Sequence, residues 1–330
     1  MSTFLHSSNP PLSEIKATNS RLTAGNAPRN AVFVGATSGI GKATLTRLVA
    51  QQTPIKIYVI GRNAAKQQNF LDQLRGSNSQ ADIVFLEGEV SLMAEVRRVC
   101  DEIKGRESSL DALFLSTGYI PWGGREETSE GIELFSALAY YGRLLFVLHL
   151  LPLLKASTHN PRIVNLGGAG LETSKLLLDD IDLQKPANWS IGNLAAQIAT
   201  AMSLTLSRLA EENPNVVFVF ANPGLVVTNI YNQGYGGKWY MKAFVGIMKP
   251  AMKIVALSEA DAGERCLYLL TSAWSGRDAL TMMKTKSGAL FSITYKFETV
   301  QWEGVMTESQ RKDAGNKFWS RMQEVLRPYL

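Results

Sequence analysis

One segment constrains this chain more than any other: Gly35-Ala36-Thr37-Ser38-Gly39-Ile40-Gly41 follows the apolar run Ala31-Val32-Phe33-Val34 and opens into a helical stretch. A strand, a glycine-rich turn and a helix N-terminus together make a phosphate cradle. Glycines let the backbone approach a pyrophosphate, and the helix offers free N–H groups and the positive end of its dipole. The loop points to a dinucleotide.

Beyond the loop, helical and strand patterns alternate. Lys42–Gln51 has helical spacing, Ile55–Ile60 reads as a strand ending at Gly61-Arg62, Ala64–Arg75 as helix, Ala81–Leu86 as strand and Met93–Lys104 as helix. Leu110–Leu115 makes a fourth strand, Gly131–Leu154 a long helix, Pro161–Leu166 a fifth strand, Leu194–Glu212 another long helix and Val216–Phe220 a sixth strand. Ala289–Ser292 reads as a last strand and Glu308–Leu326 as a polar final helix. Nearly continuous apolar strands separated by helices are what a parallel sheet covered on both faces requires. The fold class is therefore a doubly wound α/β sheet in a single domain. Residues 1–28 form an N-terminal extension and 29–330 the sheet domain. A segment at about 229–260, mixing aromatics and methionines with lysines, is a substrate lid in this reading.

Composition excludes several classes. With 34 Lys and Arg against 29 Asp and Glu, the net charge of +5 is modest for 330 residues and spread along the chain, which argues against nucleic-acid binding. Cys100 and Cys266 are the two cysteines, and His6, His149 and His159 stand far from any ligand-spaced partner, so neither a disulfide framework nor a metal site is expected. The first residues lack the order of a signal peptide, and a cytoplasmic location is the expectation. The most apolar stretch, Leu144–Leu154, is shorter than the roughly 20 residues a bilayer span needs and reads as a buried helix. Membrane-surface contact is a minor option.

The spacing Gly35-x-x-x-Gly39-x-Gly41 in this order of strands resembles the short-chain dehydrogenase/reductase superfamily, over about residues 30 to 230. Three further segments carry the resemblance. Glu89-Val90 is similar to the family's Asp-Val that contacts adenine, one methylene longer in the acid. Ser116-Thr117-Gly118 stands where the family has Asn-Ala-Gly beneath the adenine ribose, and Pro223-Gly224-Leu225-Val226-Val227-Thr228 where a Pro-Gly…Thr segment holds the nicotinamide amide. The resemblance implies a cofactor site at Gly35, Thr37, Ser38, Gly39, Ile40, Gly41, Arg62, Glu89, Val90, Ser116, Thr117, Gly118, Pro223, Gly224 and Thr228. Cofactor choice is read from Arg62: an acid about 20 residues past the loop binds the ribose diol of NAD, whereas an Arg accommodates the 2′-phosphate. A guanidinium makes bidentate contacts to phosphate, with Lys42 as a nearby contributor, so NADP(H) is the expected cofactor.

The same resemblance implies an Asn, a Ser and a Tyr-x-x-x-Lys pair, with the Tyr as general acid/base. In this chain Ala139 falls at the Asn position, and Gly168, or Gly167 in the neighbouring register, at the Ser position. Counting back from Pro223 puts Asn193 and Gln197 at the Tyr and Lys positions, while counting from Leu209-Ala210-Glu211 gives Ala195 and Ala199. Between Leu171 and Asn222 there is no Tyr, and Lys175 and Lys185 precede the helix. A methyl or neutral amide cannot deliver a proton to a developing alkoxide, a loss of roughly 10²–10⁴-fold from acid catalysis alone.

Candidate replacements are Tyr119, Tyr140 with its neighbour Tyr141, and Arg143, one turn beyond Ala139 on the same helix face. The leading reading is an unorthodox NADP(H)-dependent oxidoreductase of specialised metabolism acting on a small, mostly apolar metabolite. Hydride transfer to an already activated iminium or enone tolerates a missing acid. A second reading is a non-redox isomerase, cyclase or dehydratase with Asn193 and Gln197 as hydrogen-bonding groups, and a third is an NADP(H)-binding pseudoenzyme. A homodimer is expected through the apolar stretches Leu144–Leu154 and Ala195–Leu209, in the isologous four-helix interface of many relatives.

Overall fold

The computed structural model describes residues 10–232, 256–271, 290–300 and 302–330, with isolated positions 240, 243 and 246. Seven strands form one sheet: β1 (Asn30–Val34), β2 (Ile55–Gly61), β3 (Ala81–Glu87), β4 (Ala112–Leu115), β5 (Arg162–Leu166), β6 (Val217–Ala221) and β7 (Leu290–Ile293). Their spatial order is β3-β2-β1-β4-β5-β6-β7, and every neighbouring pair runs parallel. The chain winds outward from β1 to one edge and then from β4 to the other. The crevice at that reversal, beyond the carboxyl ends of β1 and β4, is where this architecture binds ligands.

Helices cover both faces because the strands expose apolar side chains to each. On one face lie α1 (Leu12–Asn19), α2 (Gly39–Val49), α3 (Ala64–Ser77) and α7 (Glu259–Thr271), burying Phe33, Leu45, Leu48 and Phe114. On the other lie α4 (Met93–Lys104), α5 (Leu134–Ala156), α6 (Ile191–Glu212) and α8 (Glu308–Leu326), around Tyr58, Leu113, Phe146 and Phe218. Helix α5 is apolar and long enough to cross a bilayer, yet 78% of its most apolar stretch is buried inside the fold.

Two expectations about the surroundings of this sheet change. Part of the expected N-terminal extension is built into the domain: Ile15 is fully buried, Lys16 pairs with Asp261 at 2.8 Å, and Asn19 donates to the Glu264 carboxylate at 2.7 Å. The apolar stretches assigned to a dimer interface are covered by the same chain. Helix α8 buries Ala314, Phe318, Met322 and Leu326 in one cluster with Leu150, Leu206 and Ala210, and Arg208 of α6 stacks on Trp319 at 4.2 Å. The expected lid at 229–260 lies outside the described residues, apart from its ends and three isolated positions. Those ends are tied together, since Val226 bridges Leu257 and the Leu257 N–H donates to the Leu225 carbonyl at 2.9 Å.

Candidate active site

The glycine loop is shaped by close approach. Gly35 has φ +89°, and a Cβ there would lie 2.7 Å from the Thr117 backbone nitrogen; one on Gly41 would lie 2.5 Å from the Gly35 carbonyl oxygen. The loop is thereby pressed against the segment that leaves β4. Ser38 makes no side-chain cap on α2, and no acidic residue stands in its first turn. A helix start with uncapped N–H groups and no competing carboxylate is fitted for a pyrophosphate.

A cleft of about 800 Å³ runs from this loop across the ends of the strands. One end is lined by Arg62, Glu89 and Val90, the middle by Ser116, Thr117 and Gly118, and the far end by Pro223 and Thr228. Thr37, Ser38, Gly39, Ile40 and Gly41 form the floor beside Gly35. Gly224 does not line the cleft; its φ of +79° makes the turn that follows Pro223. Lys42 is turned away, with its ammonium 4.4 Å from the centre of the Phe70 ring. Arg62 has a 71% exposed side chain and pairs with Glu89 at 3.4 Å, a screened contact that leaves the guanidinium free to turn towards a phosphate. Glu89 is also held by the Ser91 hydroxyl at 2.8 Å.

The structure selects between the two helix registers left open by the sequence. Ala195 and Ala199 face the cleft, together with Ile198 and Met202, whereas Asn193 and Gln197 do not. Asn193 spends its amide on the Asn188 carbonyl at 2.9 Å. Gln197 is buried, accepts from the Leu177 N–H at 2.9 Å and donates to the Ile181 carbonyl at 2.6 Å. Both side chains hold the loop that precedes α6, which is why their polarity misleads at the sequence level. Ala139 and Gly168 line the same wall, so this side of the cleft is apolar.

Tyr140 is also placed elsewhere. Its hydroxyl meets Thr205 Oγ1 at 3.0 Å in the interior, and burial pushes its pKa up. Tyr141 donates to Asp182 at 2.6 Å. Both are structural.

Tyr119 and Arg143 do line the cleft. Tyr119 is 6% exposed, and its hydroxyl has no hydrogen-bond partner among the described residues. Burial first, then the Glu133 and Glu126 carboxylates, hold its pKa well above the usual phenol value, so it stays protonated and keeps a proton to donate. Arg143 reaches the cleft because α5 takes a π-helical turn at Ala137–Tyr141, a distortion that frees backbone carbonyls. The Leu138 carbonyl accepts from Thr117 Oγ1 at 3.0 Å and from Arg143 Nε at 3.2 Å. One terminal nitrogen of Arg143 donates to Asn165 Oδ1 at 2.5 Å and to the Leu166 carbonyl, and the other to the Thr117 carbonyl. The guanidinium so ties the ends of β4 and β5 to α5. Burial lowers its pKa to about 9, which leaves it cationic at neutral pH.

Sequence reasoning passed over Glu126, which lines the cleft near Tyr119, and Asn165, the buried partner of Arg143. The signal for Asn165 was present as the one polar residue among the apolar positions Ile163-Val164 and Leu166 of a buried strand.

A protein-family profile described as short chain dehydrogenase matches residues 29–174. An oxidoreductase of Emericella nidulans is 38% identical over 264 residues, spanning 79% of this chain and 77% of that protein. Oxidoreductase lepF of Aspergillus flavus is 33% identical over 287 residues, spanning 79% of each. Among solved structures, an NADPH-bound carbonyl reductase from chicken fatty liver shares the fold with a TM-score of 0.55 at 19% identity, over 83% of this chain and 99% of that one.

Proposed function

Because the chain belongs to the short-chain dehydrogenase/reductase family, and is an oxidoreductase of that family with a nicotinamide-cofactor cleft, we propose that it uses NADP(H) to reduce a small, mostly apolar metabolite at an already activated carbon. The observation that supports this reading is a cleft lined by the glycine loop, Arg62, Ser116, Thr117, Gly118 and Thr228 whose other wall carries Ala139, Gly168, Ala195 and Ala199. When bound, the nicotinamide supplies a hydride.

The residues of the chain divide the remaining work. The glycine loop and the start of α2 hold the pyrophosphate, Arg62 the 2′-phosphate, and Pro223 and Thr228 the nicotinamide end. Ile198, Met202, Leu171 and Phe135 line the space beside it and select apolar substrates by excluding water. Tyr119, held protonated, orients a substrate oxygen as a donor. No side chain on the α6 wall moves a proton, which favours a substrate whose hydride transfer does not depend on a side chain protonating a developing alkoxide. The non-redox reading loses the two amides on which it rested, since Asn193 and Gln197 are committed to backbone groups.

Cofactor choice is tested by melting-temperature shifts with NADPH and NADH. Wild type binds NADPH more tightly, and Arg62→Ala removes that preference by about tenfold or more, the scale of a charge-assisted phosphate contact. Equal affinities in wild type would contradict the assignment.

A further inference from the structure

Arg143 is 5% exposed and lines the cleft. Its fork carries five N–H groups. Four find acceptors, in Leu138, Asn165, Leu166 and Thr117, and every acceptor is neutral. No carboxylate among the described residues pairs with it. A buried cation with neutral partners and one spare N–H is an unbalanced charge, costly unless an anion meets it. Tyr119 lines the same cleft, and its buried hydroxyl is a second donor with no partner among the described residues. The two residues flank the turn that leaves β4: a Cβ on Gly118 would lie 3.7 Å from a terminal nitrogen of Arg143, and Tyr119 is the next residue.

Among the described residues no other charge pairs with Arg143, although Glu126 and Glu133 act on the Tyr119 hydroxyl. Arg62 and Glu89 pair with each other at the adenine end. Glu126 is partly exposed to solvent, which screens it. Glu133 is buried but occupied, accepting from the Ser136 hydroxyl at 2.7 Å and from the Phe135 N–H at 3.1 Å.

We infer that Arg143 and Tyr119 form an anion-stabilising site for the carbonyl oxygen of an α,β-unsaturated ketone or aldehyde, so that the substrate of this oxidoreductase is an enone and not an iminium ion. The inference rests on the redox reading given above and deepens it. In the step, two electrons and one hydrogen pass from the reduced nicotinamide cofactor to the β-carbon, forming a C–H bond. The C=C π pair moves into a new double bond between the α-carbon and the carbonyl carbon, and the carbonyl π pair moves onto oxygen. The resulting enolate carries its negative charge beside the Arg143 guanidinium and accepts a hydrogen bond from Tyr119. A proton from water then closes the α-carbon, and the carbonyl is restored. An iminium substrate starts with the positive charge that Arg143 repels and ends neutral, so it gains nothing from either residue. Stabilisation that appears only as charge develops is what accelerates a step.

The test uses 4-nitrophenol as an enolate-shaped probe on the protein loaded with NADPH, so that the phosphate cradle is filled. The phenolate should bind about tenfold more tightly than the neutral phenol, seen as a fall of about one unit in the bound probe's ionisation. Arg143→Met should abolish the preference, Arg143→Lys should keep part of it, and Tyr119→Phe should weaken it. A neutral phenol bound as tightly as the phenolate overturns the proposal, as does a folded Arg143→Met protein that keeps the preference. Should Arg143→Met not fold, wild type decides alone: trimethylanilinium, a cation of similar size, bound as tightly as the phenolate also overturns it. Turnover separates the two levels. Faster NADPH consumption with iminium ions than with enones defeats the enone assignment and leaves the oxidoreductase reading intact. No consumption with either defeats the oxidoreductase reading and the step with it.

Discussion

Gly41 sits so near the carbonyl of Gly35 that a Cβ on Gly41 would lie 2.5 Å from its oxygen, with the Ser116 hydroxyl 2.6 Å away. The first turn of α2, the glycine loop and the end of β4 are thus locked against one another before any ligand arrives. Gly41→Ala forces backbone apart at the cradle, an overpacking of about 1–3 kcal/mol. The variant should melt several degrees lower and lose most of its NADPH-induced melting shift, while Gly76→Ala, inside α3 with nothing within 4 Å, should leave that shift unchanged and melt no lower, since Ala favours the helix over Gly.

Two tyrosines make opposite expectations. Tyr140 is hydrogen-bonded to Thr205 in the interior, so Tyr140→Phe should cost about 1 kcal/mol of stability and leave turnover unchanged. The Tyr119 hydroxyl has no partner to lose, so Tyr119→Phe should be neutral or slightly stabilising in a denaturation curve while lowering kcat for an enone. Paired denaturation and kinetic measurements on the two variants check both.

Asp111 links stability to pH. Burial pushes its pKa up, but hydrogen bonds from the Arg29 and Ser157 side chains and from the Arg29 N–H outweigh this and hold it below its ordinary value. A depressed folded pKa means that the stabilisation is complete above the unfolded carboxyl's value of about 3.9 and is lost as pH falls through the lower folded value. Urea unfolding of wild type and Asp111→Asn should show a wild-type advantage at about pH 7 that shrinks at about pH 3.

Asp182 receives the Tyr141 hydroxyl at 2.6 Å and Arg321 of α8 at 2.7 Å, which fastens the C-terminal helix over α5 and α6. With that face covered, the full chain should elute as a monomer in size-exclusion chromatography with light scattering. Truncation before Glu308 strips Phe318, Met322 and Leu326 from the core and should produce self-association, as exposed apolar patches of that size do.

The sheet was legible in the sequence because the strands are short apolar runs, four of them closed by Gly or Asn (Gly35, Gly61, Gly167 and Asn222), and because α4 and α8 carry helical periodicity. The glycine loop at one side of the cleft was equally legible, since glycines pressed against backbone, such as Gly35 and Gly41, leave a fixed spacing. The substrate side was not. Asn193 and Gln197 have the polarity of site residues but serve the loop before α6, and a spacing of four residues does not say which face of a helix meets the cleft. Tyr140 and Tyr119 are alike in sequence, and only packing separates a phenol satisfied by Thr205 from one left unsatisfied. The position of Arg143 depends on a π-helical turn, an extra residue in α5 that no apolar periodicity announces. Helix α1 was passed over because a single fully buried side chain, Ile15, anchors it and its remaining contacts are polar.

The most direct measurement follows a deuterium label from reduced cofactor into product with a cyclic enone as substrate. Conjugate reduction at Arg143 and Tyr119 requires deuterium at the carbon β to the carbonyl, solvent hydrogen at the α-carbon and an intact carbonyl, with the rate falling in Arg143→Lys. An allylic alcohol with deuterium on the former carbonyl carbon would contradict it.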